Sequence, residues 1–161
     1  MTITLNGTTG ITTPALDSVA PFSSADMPAG SVIQVVSVNN ANAVTFTTSA
    51  EAVSGSITVG SNSKIAVIAS IPHYAGAVTG AWNSSFSTRL LQNNSQVLNC
   101  EHVGTITAED QTHQVPVVFT TGALSAGTYT FVIEVAKVTG GTHYVNRDGR
   151  ASTLLLMEIA G

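Results

Sequence analysis

An all-β fold, an antiparallel β-sandwich of jelly-roll type behind an extended N-terminal arm, is predicted by three features of the 161-residue chain. Short apolar stretches alternate at period two and are separated by Gly, Asn and Ser turns. No apolar pattern of helical period runs for any length. Charged residues are only 9% of the chain against 43% hydrophobic, so Thr, Ser, Asn and Gln must supply the polar surface, and these favour strands and turns.

The same composition narrows the function. This balance of apolar and charged residues excludes a disordered chain, and the length suits one domain whose core needs neither disulfide nor metal. Net charge is −4 with 5 Lys plus Arg, so there is no basic stripe for nucleic acid. No apolar run approaches the ~18 residues of a membrane span. The start, Met1 to Asn6, lacks the basic flank of a signal peptide. Cys100 cannot close an internal disulfide, has no cation beside it in sequence, and reads as inert. So few charges suit a soluble monomer poorly, and an oligomer that buries much of each subunit resolves the difficulty.

Residues 1–30 read as an arm or linker, with a disordered leader as the alternative. Two short β-like pieces flank Asn6-Gly7, and Pro14, Pro21 and Pro28 follow at seven-residue spacing. The sandwich occupies 31–161. Val32–Val38 is β-branched, Val44–Thr48 alternates, and Ser56–Val59 is a short strand after a Ser54-Gly55 break. Gly60–Ser63 turns into Lys64–Ile71, which sets Ile65, Val67, Ala69 and Ile71 on one face before Pro72 ends it. Residues 72–84 read as a loop with exposed aromatics. Phe86–Leu91 is a strand followed by a Gln92–Ser95 turn, and Gln96–Ala108 is ambiguous, read as two short strands around Gly104. Pro116 makes Val115–Thr121 an edge strand or a strand start. Thr128–Val138 is the cleanest strand, with Tyr129, Phe131, Ile133 and Val135 inward. Gly140-Gly141 suggests a hairpin into Thr142–Asn146, and Asn146–Arg150 turns into the last strand. That strand carries Leu154, Leu156 and Glu158 on one face and Leu155, Met157 and Ile159 on the other. Apolar on both sides, it should lie centrally with cover on both faces.

Catalytic patterns are absent. No nucleophile elbow and no glycine-rich phosphate loop occur, and the adjacent acids Glu109 and Asp110 would diverge on a strand. His73, His102, His113 and His143 have no zinc-ligand spacing, although Glu101, His102 and His113 could meet across a hairpin. No enzyme activity, metal or cofactor is expected. What remains is recognition by rings and hydrogen-bonding groups on loops. The best cluster is Tyr74 and Trp82 in the 72–84 loop with Tyr144, Arg147, Asp148 and Arg150 near the last turn. Trp82 could instead fill a core or a subunit interface, and the arginine turn could be solvated or pair with Glu158 or a neighbour.

Several segments together resemble the distal knob domain of bacteriophage tail-fibre proteins, of the marine and cyanobacterial phage type. They are Pro28 to Val36 (PAGSVIQVV), Ser61 to Ile71 (SNSKIAVIASI), Tyr144 to Arg147 (YVNR) and Ala151 to Ala160 (ASTLLLMEIA), and Thr4 to Thr12 looks like the stem joints before such tips. The resemblance implies a homotrimeric knob on the virion, made in the bacterial host cytoplasm. Its partners would be other copies of the chain, other virion proteins through the arm, and a host-surface glycan or outer-membrane component. It involves neither nucleic acid nor membrane insertion. Tyr74, Trp82, Tyr144, Arg147, Asp148 and Arg150 would then bind the receptor. Such domains usually end much longer fibres than 161 residues, and Asn146–Ser152 is shorter than in those relatives. A capsid decoration protein, its arm or trimer base gripping the shell, is therefore the alternative.

Overall fold

The computed structural model describes residues 5–6, 10–11, 27–75, 83–105 and 112–161, and every regular element among them is a strand. The strands are β1 (Leu5–Asn6), β2 (Gly10–Ile11), β3 (Val32–Asn40), β4 (Val44–Phe46), β5 (Ser49–Val59), β6 (Lys64–Ala75), β7 (Asn83–Gln92), β8 (Ser95–Thr105), β9 (Thr112–Thr120), β10 (Gly127–Thr139), β11 (His143–Val145) and β12 (Ser152–Ile159). β1 and β2 pair with each other, Leu5 with Ile11 and Asn6 with Gly10.

The remaining pairs are nested about the β7–β8 turn. β7 pairs β8, β6 pairs β9, β5 pairs β10 and β3 pairs β12, all antiparallel. Asn93 (φ 49°) and Asn94 (φ 65°) supply the left-handed pair that a tight β7–β8 turn needs. The doubled ribbon wraps into two sheets, ordered β5-β10-β7-β8 and β3-β12-β6-β9, the second extended by β11 and β4 along the far part of β6. This winding is the jelly roll. Period-two alternation fills the space between the sheets with Ile65, Val67, Ala69 and Ile71 from β6, Phe131, Ile133 and Val135 from β10, and Leu154 and Leu156 from β12.

The last strand is central, as its apolar run requires. Leu154 and Leu156 pair with Val38 and Val36 on one side and with Ala69 and Val67 on the other. Glu158 continues the inward face at the sandwich rim. Burial favours its neutral form, but Ser63 Oγ (2.6 Å), the Gly60 N–H (2.9 Å) and Gln34 Nε2 (2.6 Å) all donate to it and together hold its pKa below the ordinary 4.5. It is thus tied to β3 and the β5–β6 turn, not to the arginines.

Four local expectations need correction. Ser54-Gly55 does not break β5: a Cβ on Gly55 would lie 3.0 Å from Val38 Cγ2 and 3.4 Å from Leu154 Cδ2, so glycine here lets the sheets approach closely. Pro72 does not end β6. The β12 ladder stops at Ser70, the β11 ladder starts at His73, and Pro72 sits in the gap, where its carbonyl accepts from the Asn146 N–H at 3.3 Å. N and O of one strand residue point to the same side, so the missing donor faces a place without a ladder partner. Ser95–Thr105 is one continuous strand through Gly104. After Gly140 (φ 98°) the chain crosses to the other sheet instead of forming a hairpin with β10, because β11 pairs β4 and β6.

The outer face of the larger sheet is unusually apolar. Val35, Met157 and Ala66 lie in one cross-strand row, and Leu155, Ile68 and Val118 lie in or beside the next. Val118 is 70% exposed, Val35 53% and Ile68 42%, while Leu155 and Met157 are half-buried. Ser37 and Thr120 are the polar members of these two rows.

Leu156 is fully buried between both sheets. Leu156→Ala should cost about 2–5 kcal/mol in urea unfolding, and Leu156→Asp should give no folded protein, since its carboxylate would be buried without a partner. A folded, soluble Leu156→Asp protein would contradict the central position of β12.

Candidate functional site

At the end of the larger sheet away from Glu158, β11 lies between β4 and β6, so Tyr144 has Thr45 on one side and Tyr74 on the other. Directly after β11 the backbone turns left-handed at Asn146 (φ 57°), a conformation that Asn tolerates. The Asn146 side chain is buried and hydrogen-bonded through both its nitrogen and its oxygen. Its Nδ2 donates to the Ala52 carbonyl at 3.1 Å, and its Oδ1 accepts from the Ser152 N–H at 2.9 Å and from the Ser152 hydroxyl. One amide thereby fixes both the entry and the exit of the following turn.

That turn is Arg147–Arg150. Asp148 (φ 57°) and Gly149 (φ 73°) have the positive φ pair of a type I′ turn, and the Arg150 N–H donates to the Arg147 carbonyl at 3.2 Å. The Tyr74 hydroxyl donates to the same carbonyl at 3.2 Å. Arg147 Cζ lies 4.9 Å from the Tyr144 ring centroid and Arg150 Cζ 5.8 Å from that of Tyr74, both within cation–π range. Asp148 Oδ1 is 3.5 Å from Arg147 Nε.

Five of the six sequence candidates therefore meet in one place. Tyr74 differs from its expectation: it belongs to strand β6, is only 2% exposed, and supports the turn from beneath instead of presenting a loop ring. Tyr144 and Arg147 are half-buried, Asp148 and Arg150 exposed. Trp82 lies outside the described residues, as do Glu109 and Asp110. The patch offers planar guanidinium donors, one carboxylate acceptor and a tyrosine ring, a set suited to hydroxyl-rich ligands.

Behind Tyr144, on the inner face, lies a cluster that the histidine spacing did not suggest. His73 and His143 are fully buried with Nε2 of one 2.9 Å from Nδ1 of the other, and His143 Nε2 lies 3.2 Å from the Thr139 carbonyl. His73 stacks on Phe86 at 3.6 Å, and Phe46 lies 5.6 Å from His143. His113 is the cross-strand neighbour of His73. The signal was available: extending the inward set Ile65, Val67, Ala69, Ile71 by one step reaches His73. Glu101 and His102 do not share a hairpin with His113, because β8 and β9 belong to different sheets. Among the described residues no group of three or more His, Cys, Asp or Glu is placed to hold a metal.

No family model matches the chain, and no curated protein does. Solved structures give only distant likenesses. Eiger TNF from S. frugiperda is 18% identical with a TM-score of 0.42, covering 66% of this chain and 65% of that one. A family 35 carbohydrate binding module from Clostridium thermocellum is 13% identical with a TM-score of 0.36, covering 75% and 97%. A mutant VP2 protein of infectious bursal disease virus, in derived T=1 particles, is 14% identical with a TM-score of 0.37, covering 80% and 36%. Likenesses this weak carry no functional argument.

Burial pushes the His143 pKa below 6.5, and nearby Lys137 adds to this against the raising effect of the Thr139 carbonyl. Both rings protonated would also set N–H against N–H across the 2.9 Å contact. The unfolded chain then binds more protons, so stability is full above the unfolded value and falls as pH drops through it. Glu158 adds a second loss further down, as pH falls through its depressed folded pKa. Thermal midpoints should decline steadily from about pH 7 to about pH 5, and His143→Gln should flatten the upper part of that decline. A midpoint constant over this range would contradict the lowered pKa of buried His143.

Proposed function

We propose that this chain is a bacteriophage virion structural protein, a tail-fibre or fibre-tip subunit. It trimerises through the outer face of its larger sheet and binds the host surface, a glycan or an outer-membrane component, with the Tyr144–Arg150 end. It does so without catalysis or cofactor. The observation that carries this reading is the fixed pairing of two tyrosine rings with two guanidinium groups on a turn pinned by Asn146. A ligand meeting this patch finds donors, an acceptor and a ring already in position, which lowers the ordering cost of binding. Trp82 is a further candidate ring.

The assembly half of the proposal is supported by the outer face, where Val35, Ile68 and Val118 surround Leu155 and Met157. A second and third copy covering this face would meet the demand of a strand apolar on both sides, and would explain how a chain with 9% charged residues stays soluble. The resemblance of Pro28–Val36, Ser61–Ile71 and Ala151–Ala160 to fibre knobs supports the virion setting. Residues 1–30 would join the knob to other virion proteins. The same apolar face favours one alternative, a decoration protein seated on the capsid shell.

Immunogold labelling of intact virions with antibody to this chain should mark the tail appendages; gold over the head would make it a decoration protein, and unlabelled virions would overturn both. Purified chain should block phage adsorption, and Tyr144→Ala or Arg150→Gln should weaken blocking about tenfold, a loss of ~1.4 kcal/mol. Depolymerase activity on host polysaccharide would contradict a purely binding role.

A further inference from the structure

Two His-Tyr dipeptides meet at the β4–β11 end of the larger sheet. His73-Tyr74 lies on β6 and His143-Tyr144 on β11, and the register sets Tyr144 beside Tyr74 and Val145 beside His73. Successive side chains of a strand point to opposite faces. The two histidines therefore share the inner face, directly behind the two rings of the candidate receptor patch. The Thr139 carbonyl can only accept a hydrogen bond, so His143 carries its proton on Nε2, and its Nδ1 accepts from His73 Nε2–H at 2.9 Å. This arrangement needs no charge on either ring.

A proton added here would be a buried charge in poor surroundings. Both histidines are fully buried, and β4 and β7 face them with Phe46 and Phe86. Among the described residues, the titratable and charged groups that lie against or act on the pair are His113 of β9, the cross-strand neighbour of His73, and Lys137 of β10, whose charge opposes a proton on His143. Neither is a counter-ion for an imidazolium. β11 is the element that can yield. It pairs through three residues with β4 and three with β6, whereas β6 is held by β9 along nine, Ala66–Tyr74. Gly140 (φ 98°) and Gly141 precede it, and Asn146 follows, tied to Ala52 and Ser152. Opening between these two points carries His143 into water and Tyr144 away from Tyr74 and the Arg147 guanidinium, while the turn stays pinned. Val145 is fully buried, so the opening is rare while the pair is neutral.

We propose that β11 is an acid-released latch on the receptor patch: proton uptake by the His73–His143 pair frees His143–Val145 from β4 and β6, so that the patch is assembled at neutral pH and taken apart in mild acid. Its effect on binding rests on the receptor role proposed above, whereas the opening itself does not. A proton that the open state binds and the closed state resists favours opening by about tenfold for each pH unit below the ordinary histidine value of 6.5. The bias ends where the closed state takes up the proton too.

The test is hydrogen exchange of the purified full chain at about pH 7 and about pH 5, corrected for the intrinsic pH dependence of exchange. Opening of the His143–Asn146 segment should rise about tenfold or more in acid and should not respond to low urea, the mark of a local event, while β12 exchanges more slowly at both pH values. His143→Gln can donate to Thr139 and accept from His73 without titrating, and should remove most of the acid response. Lys137→Gln, which removes the charge opposing a proton on His143, should reduce that response even if the first variant does not fold. Overturning results are a segment indifferent to pH, protection equal to that of β12 in acid, or a full response in both variants. Labelled chain bound to host cells at neutral pH should leave them in acid and rebind on return; a chain that opens yet stays bound would overturn the release. Failure to bind cells at neutral pH would count against the receptor role, which the exchange measurement does not involve.

Discussion

The hydrogen bonding of β12 on both of its edges is the constraint on which the rest of the structure depends. β12 is inserted between β3 and β6 and is hydrogen-bonded to both. With β3 it forms the outermost pair of the nested winding, the pair of largest sequence separation and so of largest loop-closure cost. The inward side chains of β12 complete the core, and Glu158 locks its end through three donated hydrogen bonds. Where β12 stops beside β6, β11 begins, and that change of partner creates the end of the sheet at which the candidate receptor patch sits.

The two faces of the larger sheet divide the labour. Inward, close packing is tight enough that a methyl group on Gly55 would press on Val38. Outward, Val35, Ile68 and Val118 stand partly exposed around Leu155 and Met157. In the proposed trimer this outer face becomes an interface, which leaves the loops and turns at the far end to meet a ligand. The Tyr144–Arg150 patch lies at the β4–β11 end of the larger sheet and carries two of the chain's 5 cations.

Much of this was legible from alternation. The Lys64–Ile71 and Thr128–Val138 stretches carry their inward sets openly, and Leu154 to Ile159 announces a central strand. Pro116 marks β9, whose only partner among the described residues is β6. The misread positions share a cause: a local rule was overridden by a tertiary partner. Pro72 usually ends a strand, yet here it falls where two partner strands change over. Gly55 looks like a turn residue and instead permits close sheet approach. Gly140-Gly141 resembles a hairpin, but β11 finds its partners in the opposite sheet. Tyr74 could be assigned to the recognition cluster from its neighbours in composition, but not its burial, because the cover comes from a turn more than seventy residues away. The His73–His143 pair was hidden for the same reason, since spacing rules for metal ligands do not register a contact between strands so far apart in sequence.

The most direct test of the central claim, that the apolar outer face of the β12 sheet is covered by further copies of the chain, is the mass of the purified protein by light scattering at micromolar concentration. The account predicts three chains of 16.5 kDa, about 49.5 kDa in all, and a return to the single-chain mass when Ile68 is replaced by Glu. A wild-type mass of 16.5 kDa would contradict it, because the outer face of β12 would then stand open to water.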